Sequence, residues 1–131
     1  TGSGECKVGF AGESAPRAVF PSIVGRLLHP ELMPEDNDEN EKHDVFVGDD
    51  ARTRFGIIKV SSPRSSRRIC SSWSDLEHIW HYSFYSRLRV APERHPVLLV
   101  EAVCSPKAFR ERVVEIMFAE FLVPALYICQ Q

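Results

Sequence analysis

Two helical stripes of apolar residues alternate with two continuous apolar runs between residues 72 and 131, and this pattern restricts the fold most. In both stripes the apolar side chains recur at three- and four-residue steps. The stripes comprise Trp73, Leu76, Ile79, Trp80 and Phe84, then Phe109, Val113, Ile116, Met117 and Phe121. The runs at 97–100 and 125–129 are typical of strands covered on both faces. Strands that alternate with helices predict an α/β protein with a mixed β-sheet and packed helices.

The starts of both helices carry capping residues. Ser74 followed by Glu77 fits a capping box for the first helix, and Ser72 followed by Asp75 is an alternative start. For the second helix, Ser105 is a predicted N-cap with proline at the first helical position. We therefore expect helices over about 73–87 and 106–121.

The N-terminal half reads as strands joined by turns. Short apolar segments bounded by glycine or proline predict strands at 8–12, 18–21, 23–26 and 45–47. We expect residues 2–29 to form a β-meander that begins with a tight turn at 2–4. One sheet is expected to join residues 8–12 to residues 97–102.

Composition indicates a globular domain without excluding many functions. The 131 residues are 44% hydrophobic and 26% charged, with a net charge of -2, so bulk charge gives no reason to expect nucleic acid or a membrane as partner. No apolar run reaches the ~20 residues of a membrane span, and no secretory leader is evident. The four cysteines, Cys6, Cys70, Cys104 and Cys129, lack paired spacing and read as reduced thiols, with a disulfide framework as the alternative.

Charge is segregated along the middle of the chain. Residues 34–44 carry six carboxylates against one lysine and predict a solvated loop. Residues 51–74 contain no acid but six basic side chains, namely Arg52, Arg54, Lys59, Arg64, Arg67 and Arg68. The favoured interpretation is mutual compensation of the two segments, since a nucleic-acid patch would need interleaved aromatic residues.

Two small motifs allow more than one interpretation. Gly2, Ser3 and Gly4 followed by Lys7 could cradle a phosphate, because glycines admit close backbone N–H groups and lysine adds charge. A plain hairpin turn fits these residues equally well. His78 and His81 have the spacing of a metal-binding pair, but two helix-surface histidines are the favoured interpretation.

Nearly the whole chain, in order, resembles the start of actins. The matching segments are 2–12, 15–26, 47–49, 73–80, 84–85, 88–93, 95–99, 106–107, 110–111 and 116–118. The resemblance implies the actin-like ATPase fold, which is ribonuclease H-like and has two lobes around an ATP cleft. It implies that this chain is part of the small lobe, an N-terminal fragment of a larger protein. Residues 1–29 and 62–131 would form an incomplete inner core, and residues 30–61 an outer subdomain with the acidic loop.

The same resemblance implies site residues and a cofactor. Ser3, Gly4, Glu5 and Lys7, together with Gly2, match the hairpin that holds the β- and γ-phosphates of ATP with Mg. Gln131 matches the glutamine that places the attacking water. The expected partners are actin-like subunits or actin-binding proteins, with no nucleic acid and no membrane, in the cytoplasm and cytoskeleton.

Several departures from the actin pattern leave the function open. The family's metal-organising aspartate would precede residue 1, and the second phosphate hairpin and the adenosine pocket would follow residue 131. Arg67 and Arg68 replace a histidine-glycine pair, and Gln130 replaces an apolar strand residue. The acidic loop would have to be desolvated to enter an apolar groove on a neighbouring subunit, which disfavours filaments. The sequence thus favours a fragment of a nucleotide-binding cytoskeletal protein. A non-enzymatic scaffold and a non-functional truncated product are the alternatives.

Overall fold

The computed structural model describes residues 2, 4–28, 44–63, 70–103 and 105–131. The predictions for Ser3, for Cys104, for nearly all of the acidic loop and for the arginines at 64, 67 and 68 lie outside these residues. The described elements comprise helices and short strands of a mixed α/β protein.

The first sheet is an antiparallel pair made of β1 (Glu5–Val8) and β2 (Ala18–Pro21). Its register pairs Glu5 with Pro21 and Val8 with Ala18. The prediction of a strand at 8–12 was therefore wrong: Val8 ends the strand. Gly12 instead lies in a turn with φ at 90°, which an L side chain rarely adopts.

The second sheet has three antiparallel strands in the order β4-β3-β5. These are β3 (Val24–Leu27), β4 (Val45–Val47) and β5 (Ile58–Ser61). A single helical turn, α1 (Asp49–Arg52), follows β4. Sequence reasoning predicted β3 within one residue and β4 correctly, but it predicted neither α1 nor β5.

Helix α2 (Trp73–His81) continues as a π-helical segment, Tyr82–Leu88. Ser72 caps it, because the Ser72 hydroxyl accepts a hydrogen bond from the Asp75 amide at 3.2 Å. The alternative start at Ser72 is thus the real one, and the capping box at Ser74 was wrong. Left-handed Arg89 ends the helix, and a short 3₁₀ turn, Pro92–Arg94, leads to the next strand.

The last third of the chain is a β–α–β unit. β6 (Val97–Glu101) and β7 (Leu126–Gln130) pair in parallel and are connected by α3 (Lys107–Ala119). This agrees with the predicted order of strand, helix and strand, but the predicted N-cap at Ser105 was wrong. The Ser105 hydroxyl donates to the Ala102 carbonyl, so it stabilises the preceding turn rather than the helix start.

The described strands do not form the single mixed sheet that the sequence predicted. β1–β2, β4–β3–β5 and β6–β7 are three separate sheets among the described residues, and β1 does not pair with β6. The two predicted helical stripes nevertheless pack together in the largest core. Its buried members are Leu76, Trp80, Phe84, Val113, Ile116, Met117, Phe121 and Val123.

Two smaller apolar clusters involve the three-stranded sheet, and the first attaches it to the rest of the chain. One contains Cys6, Phe20, Val24, Val47 and Ile79, and therefore joins β1, β2, β3, β4 and α2. The other, made of Phe46, Ala51 and Ile58, lies between the strands of the three-stranded sheet and α1. The three-stranded sheet thus has a small core of its own in addition to the shared one.

One face of the β6–β7 pair is open. Leu98 is 62% exposed, Val100 is 48% exposed and Tyr127, opposite Leu98 in the register, is 66% exposed. The prediction that the run at 97–100 is covered on both faces was therefore wrong for the described residues. Cys6, Cys70 and Cys129 form no disulfide, and none of the described helices is long and apolar enough to cross a membrane.

Candidate functional site: the cleft between the hairpin and the parallel strands

An open cleft of about 1240 Å³ is lined by residues of both β1 and β6. Gly2, Gly4, Glu5 and Lys7 line it at the N-terminal hairpin. Leu98, Val100, Ala102 and Gln131 line it at the parallel strands. Every predicted site residue that the structure describes therefore borders the same cavity, although the two groups come from opposite ends of the chain.

The turn before β1 is tight at Gly2. The Gly2 amide donates to the Glu5 carbonyl at 2.9 Å, and a Cβ atom built on Gly2 would meet that carbonyl oxygen at 2.9 Å. Glycine is needed here for the fold, because any side chain would press against the backbone that closes the turn.

Gly4 differs from Gly2 in its surroundings. A Cβ atom built on Gly4 would meet no heavy atom within 4 Å, and its carbonyl accepts from the Ser22 amide at 3.0 Å. The backbone of Gly4 is thus hydrogen-bonded to the residues just before β3, while the position of its missing side chain is open space. An anion can approach such a backbone more closely than one that carries side chains.

The alternation of β1 separates its polar and apolar side chains. Cys6 points into the shared core and is 1% exposed, whereas Glu5 and Lys7 on either side are exposed and line the cleft. Because successive strand residues point to opposite faces, the lysine ammonium is directed away from the core and into solvent. It supplies the positive charge that a phosphate would require.

Gln131 directly follows β7 at the carboxyl end of the parallel pair. The backbone N–H of Gln131 donates to the backbone carbonyl of Glu101 at 2.9 Å, which extends the β6–β7 ladder by one residue. Glu101 is itself buried and paired with Arg110 of α3, whose Nε lies 3.0 Å from a Glu101 oxygen. Residues at the carboxyl ends of parallel strands commonly border a ligand crevice, and at this edge the buried Glu101 carboxylate pairs with Arg110, whose side chain is 42% exposed.

The rim of the cleft carries residues that sequence reasoning did not select. Phe10, Glu13 and His95 line it, and the Arg17 guanidinium lies 5.1 Å from the centre of the Phe10 ring. Glu13 and Arg17 form an exposed ion pair, and the hydrogen bond from Arg17 lowers the pKa of Glu13. Residues 13–17 form no helix, so the four-residue spacing of this pair was not a sequence signal for it.

The donor set fits a phosphate group better than it fits a metal ion. Glycine backbone and a lysine lie on one wall, while the cleft's carboxylates are Glu5 and the arginine-paired Glu13. Among the described residues, no group of three or more His, Cys, Asp or Glu side chains could hold a metal ion.

The sequence itself was compared with protein-family models. Residues 1–131, the whole chain, match the model described as Actin. The chain belongs to the actin family. The resemblance inferred from the sequence is thereby confirmed, and the mixed α/β architecture with small sheets fits an actin-like fold.

Proposed function

We propose that this actin-family chain supplies the phosphate-facing wall of an ATP site in a longer protein, as part of its small, ribonuclease H-like lobe. The observation that supports the proposal is the cleft between β1 and the carboxyl ends of β6 and β7. It brings the hairpin residues Gly4 and Lys7 to the same cavity as Gln131.

Different residues of the cleft would bind the phosphates and orient the attacking water. The open backbone at Gly4 and the ammonium of Lys7 would bind the β- and γ-phosphates, together with Gly2 and Ser3. Gln131 would orient the water that attacks the γ-phosphate, since an amide side chain can both donate to and accept from that water. ATP brings the scissile phosphoanhydride bond and its Mg²⁺ to the site.

The proposed domain division places residues 1–29 and 62–131 in the inner core and residues 30–61 in an outer subdomain. The cluster of Phe46, Ala51 and Ile58 lies within residues 30–61 and supports an outer unit of this kind, while β3, from residues 1–29, completes its sheet. The proposed partners of the protein are actin-like subunits or actin-binding proteins in the cytoplasm and cytoskeleton.

A non-enzymatic actin-like scaffold is the second candidate. The six carboxylates of residues 34–44 support it, because a charged loop resists burial in an apolar groove of a neighbouring subunit. A non-functional truncated product is the third candidate, in which the cleft binds nothing.

A titration of the 131-residue chain separates the phosphate-site proposal from the other two candidates. Inorganic triphosphate with Mg²⁺ is added in the millimolar range, and amide shifts are followed by NMR, with a Lys7→Met variant beside the original chain. The proposal expects graded shifts at residues 4–7 and 131 that the variant loses. Shifts that are absent, or that persist unchanged in Lys7→Met, would contradict a phosphate site at this hairpin.

A further inference from the structure

The backbone of Gln131 is anchored to the last residue of β6. Its N–H donates to the Glu101 carbonyl at 2.9 Å, and Glu101 lies opposite Gln130 in the β6–β7 register. Any change in the backbone at Glu101 therefore moves the acceptor that holds the Gln131 backbone. The place of the Gln131 side chain in the cleft thus depends on what holds Glu101.

The Glu101 side chain points towards α3. Successive strand residues point to opposite faces, and Val100 is 48% exposed whereas Glu101 is 5% exposed. The Oε1 atom of Glu101 accepts a hydrogen bond from Nε of Arg110 at 3.0 Å and another from Nη2. Glu101 therefore joins Gln131, which its backbone contacts, to a helix side chain, which its carboxylate contacts.

Packing alone does not fix the Glu101 carboxylate. A cavity of about 30 Å³ adjoins this residue and is also lined by Leu99 and Val113. Such a volume admits about one water molecule, so the side chain has room to turn. The two hydrogen bonds from Arg110 set its direction, and α3 offers a firm support because Val113 is buried in the main core.

Loss of the guanidinium would affect the two partners unequally. The Arg110 side chain is 42% exposed, whereas the Glu101 side chain is 5% exposed. A carboxylate left without its cation in such a place is strongly destabilised. Because Glu101 is the last residue of β6, its backbone can rotate and bring the carboxylate to water. That rotation turns the Glu101 carbonyl away from Gln131.

We infer that Arg110 is a positioning residue for Gln131: it holds Glu101, and Glu101 holds the backbone from which the Gln131 side chain enters the cleft. Arg110 is not among the described residues that line the cleft, so it acts through Glu101 rather than by contact with a phosphate. The consequence for catalysis rests on the proposed function, because orientation of an attacking water tolerates only small displacements of the amide. The coupling from Arg110 to the Gln131 backbone itself requires no nucleotide.

Amide exchange and triphosphate titration of the full 131-residue chain test this role by NMR. Arg110→Met removes the guanidinium but keeps an apolar stem. The matched control is Arg112→Met on the same helix, since the Arg112 side chain is 43% exposed and lies 2.7 Å from Glu115. A double variant, Glu101→Gln with Arg110→Met, also removes the buried charge and with it the reason for residue 101 to turn.

Without any ligand, the Gln131 backbone N–H of Arg110→Met should exchange with water roughly fivefold faster than in the original chain, as expected when one ordinary hydrogen bond is lost. The rate should be unchanged in Arg112→Met and restored in the double variant. With inorganic triphosphate and Mg²⁺, Arg110→Met should keep the amide shifts at residues 4–7 but lose the shift at Gln131.

Equal Gln131 exchange rates in Arg110→Met and Arg112→Met would overturn the positioning role, as would a double variant that exchanges as fast as Arg110→Met. A triphosphate shift at Gln131 that is retained in Arg110→Met would overturn it as well. Absence of shifts at residues 4–7 in the original chain contradicts the phosphate site instead, and the exchange rates then still decide the role of Arg110. If Arg110→Met does not fold, Arg110→Lys replaces it and should again exchange faster at Gln131 than its control, Arg112→Lys.

Discussion

Replacing Asp75 by asparagine should destabilise the chain far more than replacing an exposed carboxylate. The substitution keeps the side chain's size but removes the charge that both Arg26 and Ser61 contact. Removing one partner of a fully buried ion pair costs about 3–5 kcal/mol. Because Arg26 is 43% exposed, its charge is rehydrated, and we expect a loss nearer 2 kcal/mol, the range of hydrogen bonds to charged groups.

The assay is urea unfolding followed by tryptophan fluorescence, since Trp73 and Trp80 both lie on α2. The free energy of unfolding in water should fall by about 2 kcal/mol, and a thermal melt of the same chain should show a fall of roughly 5–10 °C. The matched control is Glu111→Gln, which removes the carboxylate from an exposed pair with Lys107 at 3.4 Å and should change stability by less than about 0.5 kcal/mol. Equal effects of the two substitutions would refute the reasoning.

The difference between the original chain and Asp75→Asn should also depend on pH. Burial raises the pKa of Asp75, but the hydrogen bonds from Arg26 and Ser61 outweigh it and leave the pKa below its ordinary value. A lowered folded-state pKa means that the stabilisation is complete above the unfolded-state value, about 3.9. It is lost as the pH falls through the folded-state pKa. The two chains should therefore differ by a constant amount near neutrality and converge in acid.

Two further predictions concern the cleft. Gly4→Ala should leave the melting temperature nearly unchanged but weaken the amide shifts caused by triphosphate, whereas Gly2→Ala should lower the melting temperature because its Cβ would meet the Glu5 carbonyl at 2.9 Å. Melting curves and NMR titration check both, and equal melting temperatures of the two variants would contradict the assignment. In a longer protein that contains this chain, Lys7→Ala should weaken nucleotide affinity, while Gln131→Ala should mainly slow hydrolysis, because only lysine contacts phosphate charge in the ground state. Calorimetry measures the affinity and a phosphate-release assay measures the hydrolysis. Equal losses of affinity in the two variants would contradict these roles.

Long-period patterns were sufficient to predict the C-terminal half. The stripes ending at Phe84 and Phe121 have the helical period, and burial of Ile79 and Met117 follows from it. Helix α1 was not predicted because Asp49–Arg52 is one polar turn without an apolar period. β5 was not predicted because Lys59 interrupts its apolar residues, so the strand lacks the continuous apolar run used to find the others. In the structure Lys59 and Val60 are both exposed.

Local reasoning could not resolve choices that depend on distant contacts. Ser72 and Ser74 both fit a helix start, and the burial of Asp75 against Arg26 and Ser61 favours the first. The hairpin at residues 2–4 was equally compatible with a plain turn. Its placement opposite Gln131 depends on packing between the two ends of the chain, which no short-range pattern encodes.

The open face of the parallel pair gives a last prediction about whether this surface is covered in solution. Leu98 and Tyr127 lie opposite each other in the register and are 62% and 66% exposed. Parallel sheets are normally covered on both faces, so the structure and the usual pattern make opposite predictions for Leu98→Ser. At the observed exposure, the substitution removes little buried apolar area and should cost less than about 0.5 kcal/mol.

Leu76→Ala provides the matched reference, because Leu76 is 1% exposed in the main core and its truncation should cost about 2–5 kcal/mol. Urea unfolding is measured for both variants at several protein concentrations. If Leu98→Ser costs as much as Leu76→Ala, the face is covered in solution by another part of the chain or by a second copy. A concentration-dependent cost would identify the second copy, since only association makes apparent stability depend on protein concentration.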